Sequence, residues 1–212
     1  MPSPNIEELH LSEQPSHWLF AGHPSSNPEI VSSLFQGQIK TVELTPGTES
    51  WEQITQSVRA IALLINAKTG VSKEMMDFWS HISVRGFPRM LIVNGLEFSE
   101  IDFDDIVLIA NRVLEQVATP YLVLHDELGE PSGLISLSDL QVLDYSGGVL
   151  NKYLADDELV SLVTDFKIEY EEQFNEFEEN GFTSGLFVPA LPLGSNRSFG
   201  IAEIQSYLDK II

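Results

Sequence analysis

The sequence contains no cysteine, few basic residues and no long apolar run. Without cysteine, the 212-residue chain has neither disulfides nor thiolate metal sites, and a cytoplasmic location is the default expectation. Its five histidines lack the spacing of metal ligands, so we expect no zinc site. No stretch approaches the roughly 20 apolar residues of a membrane helix, and we therefore expect no membrane association.

Basic residues number 11 against 32 acidic ones, which gives a formal net charge of -21. The resulting field repels nucleic-acid backbones and anionic membranes, so we expect no direct nucleic-acid binding. It favours a basic protein partner, whose identity the sequence leaves open. The 43% hydrophobic content predicts a folded globule, and the length predicts one domain or one domain with an insertion.

Apolar runs alternate with helical patterns over residues 17–118. Strands are predicted at residues 17–22, 39–44, 60–67 and 89–94, each followed by a helix. The helix after the second strand is predicted over residues 50–59, and the helix after the fourth over residues 102–117. This alternation predicts an α/β fold, a three-layer and mostly parallel sheet with helices on both faces. Residues 1–16 are expected to be a flexible polar lead-in.

The pattern changes after Ala118. Shorter runs around DELGEPSG predict an antiparallel hairpin, and residues 156–179 predict a very acidic amphipathic helix or a bent pair of helices. Residues 119–180 are therefore interpreted as a small inserted α+β subdomain. The α/β core, residues 17–118, resumes at residues 181–212 with a last strand and a helix beginning at Ile201.

Four short fragments stand where predicted strands end. The first, GHPSSNPE from Gly22 to Glu29, follows the frame G-x-x-x-x-G-K-[ST] of a phosphate-binding loop. Within that frame Asn27 replaces the second Gly, Pro28 the Lys and Glu29 the hydroxyl residue. The other three fragments are LTPG at residues 44–47, VNGLE at residues 93–97 and GSN at residues 194–196.

In this order the fragments resemble the phosphate loop, D-x-x-G turn, N-K-x-D guanine reader and S-A loop of a GTP-binding domain. More narrowly, the chain resembles the GTPase domain of bacterial elongation factor G. The stretch GFPRMLIVN closely resembles the corresponding sequence of that family, and YLVLHDELGEPSGLISLSDLQVLDY resembles the hairpin of its inserted subdomain. The resemblance implies a P-loop GTPase-like fold from His17 onward. It also implies contact of the inserted subdomain with the ribosome or its stalk protein.

The nucleotide-handling positions implied by the resemblance are altered. Leu44 replaces the Asp that helps to position magnesium, and Thr48 replaces the His that orients the attacking water. Gly95 replaces the Lys of the guanine reader. Asn94 remains, and Glu97 keeps the reader's charge one methylene further out. Such a displaced carboxylate is expected to discriminate guanine poorly, because paired hydrogen bonds tolerate little misplacement.

The matched positions also include Gly47 in the turn and Ser195 in the S-A loop. Only four residues, 36–39, lie between the first predicted helix and Lys40 of the next strand, where the family has several dozen including its first switch. Phosphoryl transfer depends on positioning and charge, so we expect no GTP hydrolysis and no bound cofactor. The expectation is a non-catalytic, G-domain-like protein, a pseudo-GTPase, that acts through protein–protein interaction. The alternative is an elongation factor G-like domain with weak GTP or GDP binding.

Plainer interpretations apply to the same residues. Asn27 is predicted to cap the following helix, with Pro28 at its first position and Glu29 complementing its dipole. The LTPG fragment alone favours an ordinary type I or type II turn. The acidic helix is typical of a solvated face.

Overall fold

A computed structural model describes residues 17–48, 50–177, 180–195 and 198–211. The strands are β1 Trp18–Gly22, β2 Ile39–Glu43, β3 Ala60–Asn66, β4 Arg89–Asn94, β5 Tyr121–His125, β6 Pro131–Ser136, β7 Gln141–Asp144, β8 Asn151–Leu154 and β9 Ala190–Pro192. The helices are α1 Pro28–Ser32, α2 Trp51–Thr55, α3 Lys73–Ser83, α4 Phe103–Val113, α5 Asp157–Phe177 and α6 Ile201–Leu208.

The main sheet has five parallel strands in the order β2-β1-β3-β4-β9, which confirms the predicted α/β fold. β3 and β4 are almost continuous apolar runs because both of their faces are covered. The chain leaves β1 for β2 on one side and returns to β3 on the other. The carboxyl end of β1 is therefore the topological switch point, where open α/β sheets bind their ligands.

Two hydrophobic clusters cover the two faces of this sheet. One contains Phe78 and Trp79 of α3 and Ile106 of α4, packed with residues of β3 and β4. The other contains Val31 of α1 and Ile204 of α6, packed on the opposite face of the same strands. The sheet is thus the middle layer of three, as predicted.

The second sheet is antiparallel, with the order β5-β6-β7-β8. Its first pair, β5 and β6, is the hairpin predicted around DELGEPSG. Along the fully buried strand β6, Leu134 joins one core cluster and Ile135 joins the other. The subdomain therefore packs in continuity with the core of the main sheet.

Several predicted helices are shorter in the structure. The helix predicted over residues 102–117 is α4, which ends at Val113 because Leu114 leaves the helical conformation. Beyond it, the backbone N–H of Val117 donates to Asn111 Oδ1 at 2.8 Å. The acidic segment forms one continuous helix, α5, of 21 residues. Within the described ranges, no helix has the length and apolar character needed to cross a membrane.

Candidate functional site

The candidate site lies at the carboxyl ends of β1, β3 and β4. Gly22 is the last residue of β1, and Asn66 and Asn94 end β3 and β4 as register partners. Leu44 follows β2, and its backbone N–H donates to the Gly22 carbonyl at 2.8 Å. The fold thus brings the first and third sequence fragments together at the switch point.

The β1–α1 loop, residues 23–27, closes on itself. Residues Pro24–Ser26 form a 3-10 turn, and the Ser25 backbone N–H donates to His23 Nδ1 at 3.2 Å. The backbone N–H of Ser26 donates to the His23 carbonyl at 2.8 Å, and that of Asn27 donates to the Pro24 carbonyl at 3.0 Å. Since proline has no N–H, every N–H from Pro24 to Asn27 is absent or used inside the loop.

Ser26 fills the space directly over the end of β1. Its side chain is fully buried, and its Oγ donates to the His23 carbonyl at 2.7 Å. A Cβ atom placed on Gly22 would lie 2.4 Å from Ser26 Oγ and 2.6 Å from the Leu64 carbonyl oxygen. Gly22 is therefore required for this close approach, and the loop packs on the sheet instead of forming an open cradle.

Asn27 holds the N-cap position of α1, but the prediction that its side chain caps the helix is wrong. Its backbone is left-handed, with φ 49° and ψ 62°, whereas a capping side chain is normally presented from the extended region. Asn27 Nδ2 instead donates to the Ser25 carbonyl at 3.4 Å. Asparagine suits this position because it tolerates the left-handed conformation. Pro28 begins the helix and Glu29 lies exposed in its first turn, both as predicted.

Asn94 ties the loop to β4. Its Nδ2 donates to the Ser26 carbonyl at 2.8 Å, and its side chain is 8% exposed. Its Oδ1 is buried and has no partner among the described residues. Gly95 follows with φ +73°, and a Cβ there would lie 2.5 Å from Asn66 Nδ2. The two residues therefore join the strand ends in a tightly packed polar layer.

Glu97 and Ser195 join the ends of β4 and β9. Glu97 lies in a 3-10 turn, residues Leu96–Phe98, and is half-buried. Its Oε1 accepts a hydrogen bond from the Ser195 backbone N–H. The carboxylate that the resemblance assigns to guanine recognition is thus engaged by the chain's own backbone.

The LTPG fragment forms the ordinary turn predicted as its plainer interpretation. The Thr48 N–H donates to the Thr45 carbonyl at 3.0 Å, and Gly47 has φ +88°, the pattern of a type II turn. Thr48 Oγ1 donates to the same carbonyl at 2.7 Å and accepts from the Thr45 N–H at 2.8 Å. Leu44 is fully buried in the core. The Thr48 hydroxyl is therefore engaged within the turn, and the Leu44 side chain faces the core.

This edge also holds a histidine–serine contact that no motif in the sequence indicates. His23 Nδ1 lies 2.8 Å from Ser25 Oγ, which in turn lies 2.8 Å from Thr69 Oγ1 in the loop after β3. A base and a nucleophile need this spacing, but they also need a group that orients the base. Within the described residues no hydrogen bond orients His23 Nε2, and no cluster of three potential metal ligands occurs. The contact stabilises the loop.

Comparison with known proteins shows a structural likeness and no match in sequence. No protein-family model matches the chain, and no curated protein matches it. A crystal structure of a protein from Thermus thermophilus is similar to it, with a TM-score of 0.72 and 14% sequence identity. The match covers 93% of this chain and 40% of that one. The match shows that the two proteins share the α/β fold. This chain spans 40% of the length of the Thermus protein.

Proposed function

We propose that this chain is a non-catalytic, G-domain-like protein, a pseudo-GTPase of elongation factor G-like architecture, that acts in the cytoplasm through protein–protein interaction. The observation that carries the proposal is the closed β1–α1 loop. Phosphates bind at a strand–helix junction when backbone N–H groups point outward at the anion. Here those of Ser25, Ser26 and Asn27 donate within the loop.

Charge adds to this effect. Glu29 is exposed in the first turn of α1, where its carboxylate complements the positive end of the helix dipole. A phosphate brought to the same end would meet that carboxylate. Two like charges about 4 Å apart repel by about 1 kcal/mol in water and about 4 kcal/mol at an effective dielectric constant of 20. An anion therefore loses hydrogen bonds and gains repulsion at this junction.

Chemistry on a γ-phosphate also lacks its usual groups. At the position where the resemblance implies a magnesium-positioning carboxylate, Leu44 is buried in the core. At the position of the water-orienting residue, the Thr48 hydroxyl is engaged within its own turn. Because phosphoryl transfer relies on positioned charges, these arrangements favour a protein without GTPase activity.

The second candidate is residual binding of GTP or GDP. It is favoured by Asn94 Oδ1, a buried acceptor without a partner among the described residues. Against it, Asn94 Nδ2 is bound to the Ser26 carbonyl and Glu97 Oε1 accepts from the Ser195 N–H. A guanine base would have to displace both contacts, so we rank this candidate second.

Titration calorimetry with GTP and GDP tests the two candidates, with ATP as the control nucleotide. We expect no binding, and micromolar affinity for GTP or GDP would overturn the proposal. Thermal denaturation at 1 mM nucleotide gives a second readout, because a ligand at 100 times its dissociation constant stabilises the native state by about 2.7 kcal/mol. A shift with guanine but not adenine nucleotides, lost in Asn94→Ala, would establish the second candidate.

The partner is proposed to be a protein with a basic surface, since the chain carries a net charge of -21. The resemblance adds the ribosome or its stalk protein as a candidate. Purified ribosomes and purified stalk protein, each mixed with the tagged chain at low salt, test this directly. Absence of retention at low salt would remove both candidates.

A further inference from the structure

The exposed side of α4 carries large apolar side chains. α4 packs on the core through Phe103, Ile106, Val107 and Ala110. On the opposite side, Leu108 is 56% exposed and Ile109 is 37% exposed. A helix that covers one face of a sheet normally turns polar residues outward, and an exposed apolar patch flanked by polar residues is typical of an interaction site.

Two opposite charges stand on either side of this apolar pair. Asp105 and Arg112 are both exposed, and at 100° per residue they project within about 20° of each other. They are seven positions apart along the helix, a rise of about 10.5 Å, which is too long for an ion pair within the helix. No ion pair of Arg112 occurs among the described residues. We call Asp105, Leu108, Ile109 and Arg112 the α4 outer face.

We propose that the α4 outer face binds the same face of a second copy of this chain. The two copies are related by a two-fold axis that lies between the helices, perpendicular to them, at the level between residues 108 and 109. The two helices are therefore antiparallel. Asp105 of each copy then faces Arg112 of the other, while Leu108 and Ile109 each meet their own equivalents. An acid before the centre and a base after it make the face complementary to itself, as a closed two-fold interface requires.

This contact is small and therefore weak. α4 has 11 residues and is about 16 Å long, so the pair falls below the roughly 1,200 Å² of total buried area typical of stable complexes. The net charge of -21 on each copy also opposes association. We expect a dissociation constant on the order of 0.1 mM, measured at about 0.15 M salt, where the Debye length is about 8 Å.

Charge-swap variants test the antiparallel pairing. Asp105→Arg places two bases on the face, and Arg112→Asp places two acids on it. By sedimentation equilibrium we expect each variant alone to remain at the monomer mass of 23.7 kDa. An equimolar mixture of the two should associate, because each Arg then faces an Asp on the other chain. Such rescue in trans cannot arise from contacts within one helix or from repair of a folding defect.

Two apolar variants complete the design. Leu108→Ser should weaken self-association of the unsubstituted chain at least tenfold, whereas Ile30→Ser, at a 65% exposed position on α1, should leave it unchanged. Circular dichroism confirms that each variant is folded. A monomeric wild-type chain at about 1 mM, well above the expected dissociation constant, would overturn the proposal. So would equal association of the wild-type chain and the single charge variants. The α4 outer face shares no residue with the β1–α1 loop. The result of the self-association experiments is therefore independent of whether the chain binds a nucleotide.

Discussion

Replacing Glu203 by glutamine should stabilise the protein at neutral and alkaline pH and have little effect in acid. Glu203 lies in the first turn of α6 and is only 7% exposed. Its Oε2 is buried and has no hydrogen-bond partner among the described residues. A charged carboxylate in such a place has lost its water without a full set of replacement contacts.

Burial raises the pKa of Glu203, while the backbone N–H groups of Glu203 and Gly200 and the charge of Lys152 act in the opposite direction. Desolvation, with the Glu203 charge as a further cause, raises the pKa of Tyr121 and of Tyr145 to about 12. Both phenols therefore stay neutral across the working pH range. The native state binds the Glu203 proton more tightly than the unfolded chain does. The contribution of Glu203 to the free energy of unfolding is therefore fully present below its unfolded pKa. This contribution is lost as the pH rises through its folded pKa.

A buried group without its hydrogen bonds is more costly when charged than when neutral, and glutamine removes the charge while keeping the shape. We therefore expect Glu203→Gln to raise the free energy of unfolding by about 1–3 kcal/mol at pH 8, or about 2–4 °C in Tm for each kcal/mol. The gain should shrink toward pH 5, above the sequence pI of about 4.3.

Urea denaturation at several pH values between these limits measures the difference. Glu172→Gln is the matched control, because it removes one negative charge from an exposed helical position. That variant should change stability by less than about 0.5 kcal/mol at every pH. A Glu203→Gln gain that does not vary with pH, or a loss of stability at pH 8, would refute the burial argument.

Two further substitutions probe the packing. Arg89 is 5% exposed and donates two hydrogen bonds to Glu115, of 2.6 and 2.7 Å. Arg89→Met should lower the free energy of unfolding, measured by urea denaturation, by about 3–5 kcal/mol, because it leaves a carboxylate without its partner. A loss under about 1 kcal/mol would contradict this. Gly200→Ala should destabilise far more than Gly129→Ala in thermal denaturation, because a Cβ on Gly200 would lie 1.9 Å from the Pro192 carbonyl oxygen. Gly129 also has a positive φ but has open space around it, so Gly129→Ala should cost only the backbone strain of about 1–2 kcal/mol. Equal losses of stability in the two glycine variants would contradict this prediction.

The main sheet could be predicted because its signal is local. β3 and β4 are buried on both faces, so their composition alone distinguishes them from amphipathic helices. β8 is different: all four of its residues are exposed, and no alternation of apolar and polar residues marks it as a strand. Its position is set by pairing with β7, which sequence patterns do not report. The boundaries of α2 and α4 were overestimated because apolar spacing continues past the point where the backbone leaves the helix.

At the candidate site, the contacts of the predicted positions could not be read from the sequence. The bond from Asn94 to the Ser26 carbonyl joins residues 68 apart and depends on the order of the strands. Ser26 occupies an unspecified position of the loop frame, yet its burial over Gly22 determines the shape of the loop. The left-handed backbone of Asn27 was also hidden, because asparagine is favoured both at helix caps and in left-handed turns.

Leu44 shows why a single aspartate, introduced to match the resembled GTPase motif, would not create a nucleotide site. The side chain is completely buried and belongs to the core cluster that packs α3 and α4 on the sheet. An aspartate there would exchange apolar contacts for a desolvated charge, and such a charge is strongly destabilising when it has no partner. The backbone N–H groups of the β1–α1 loop would still be engaged within the loop. A strand-end residue that packs in the core is part of the fold, so phosphate binding at this edge would require both the loop and the core to change.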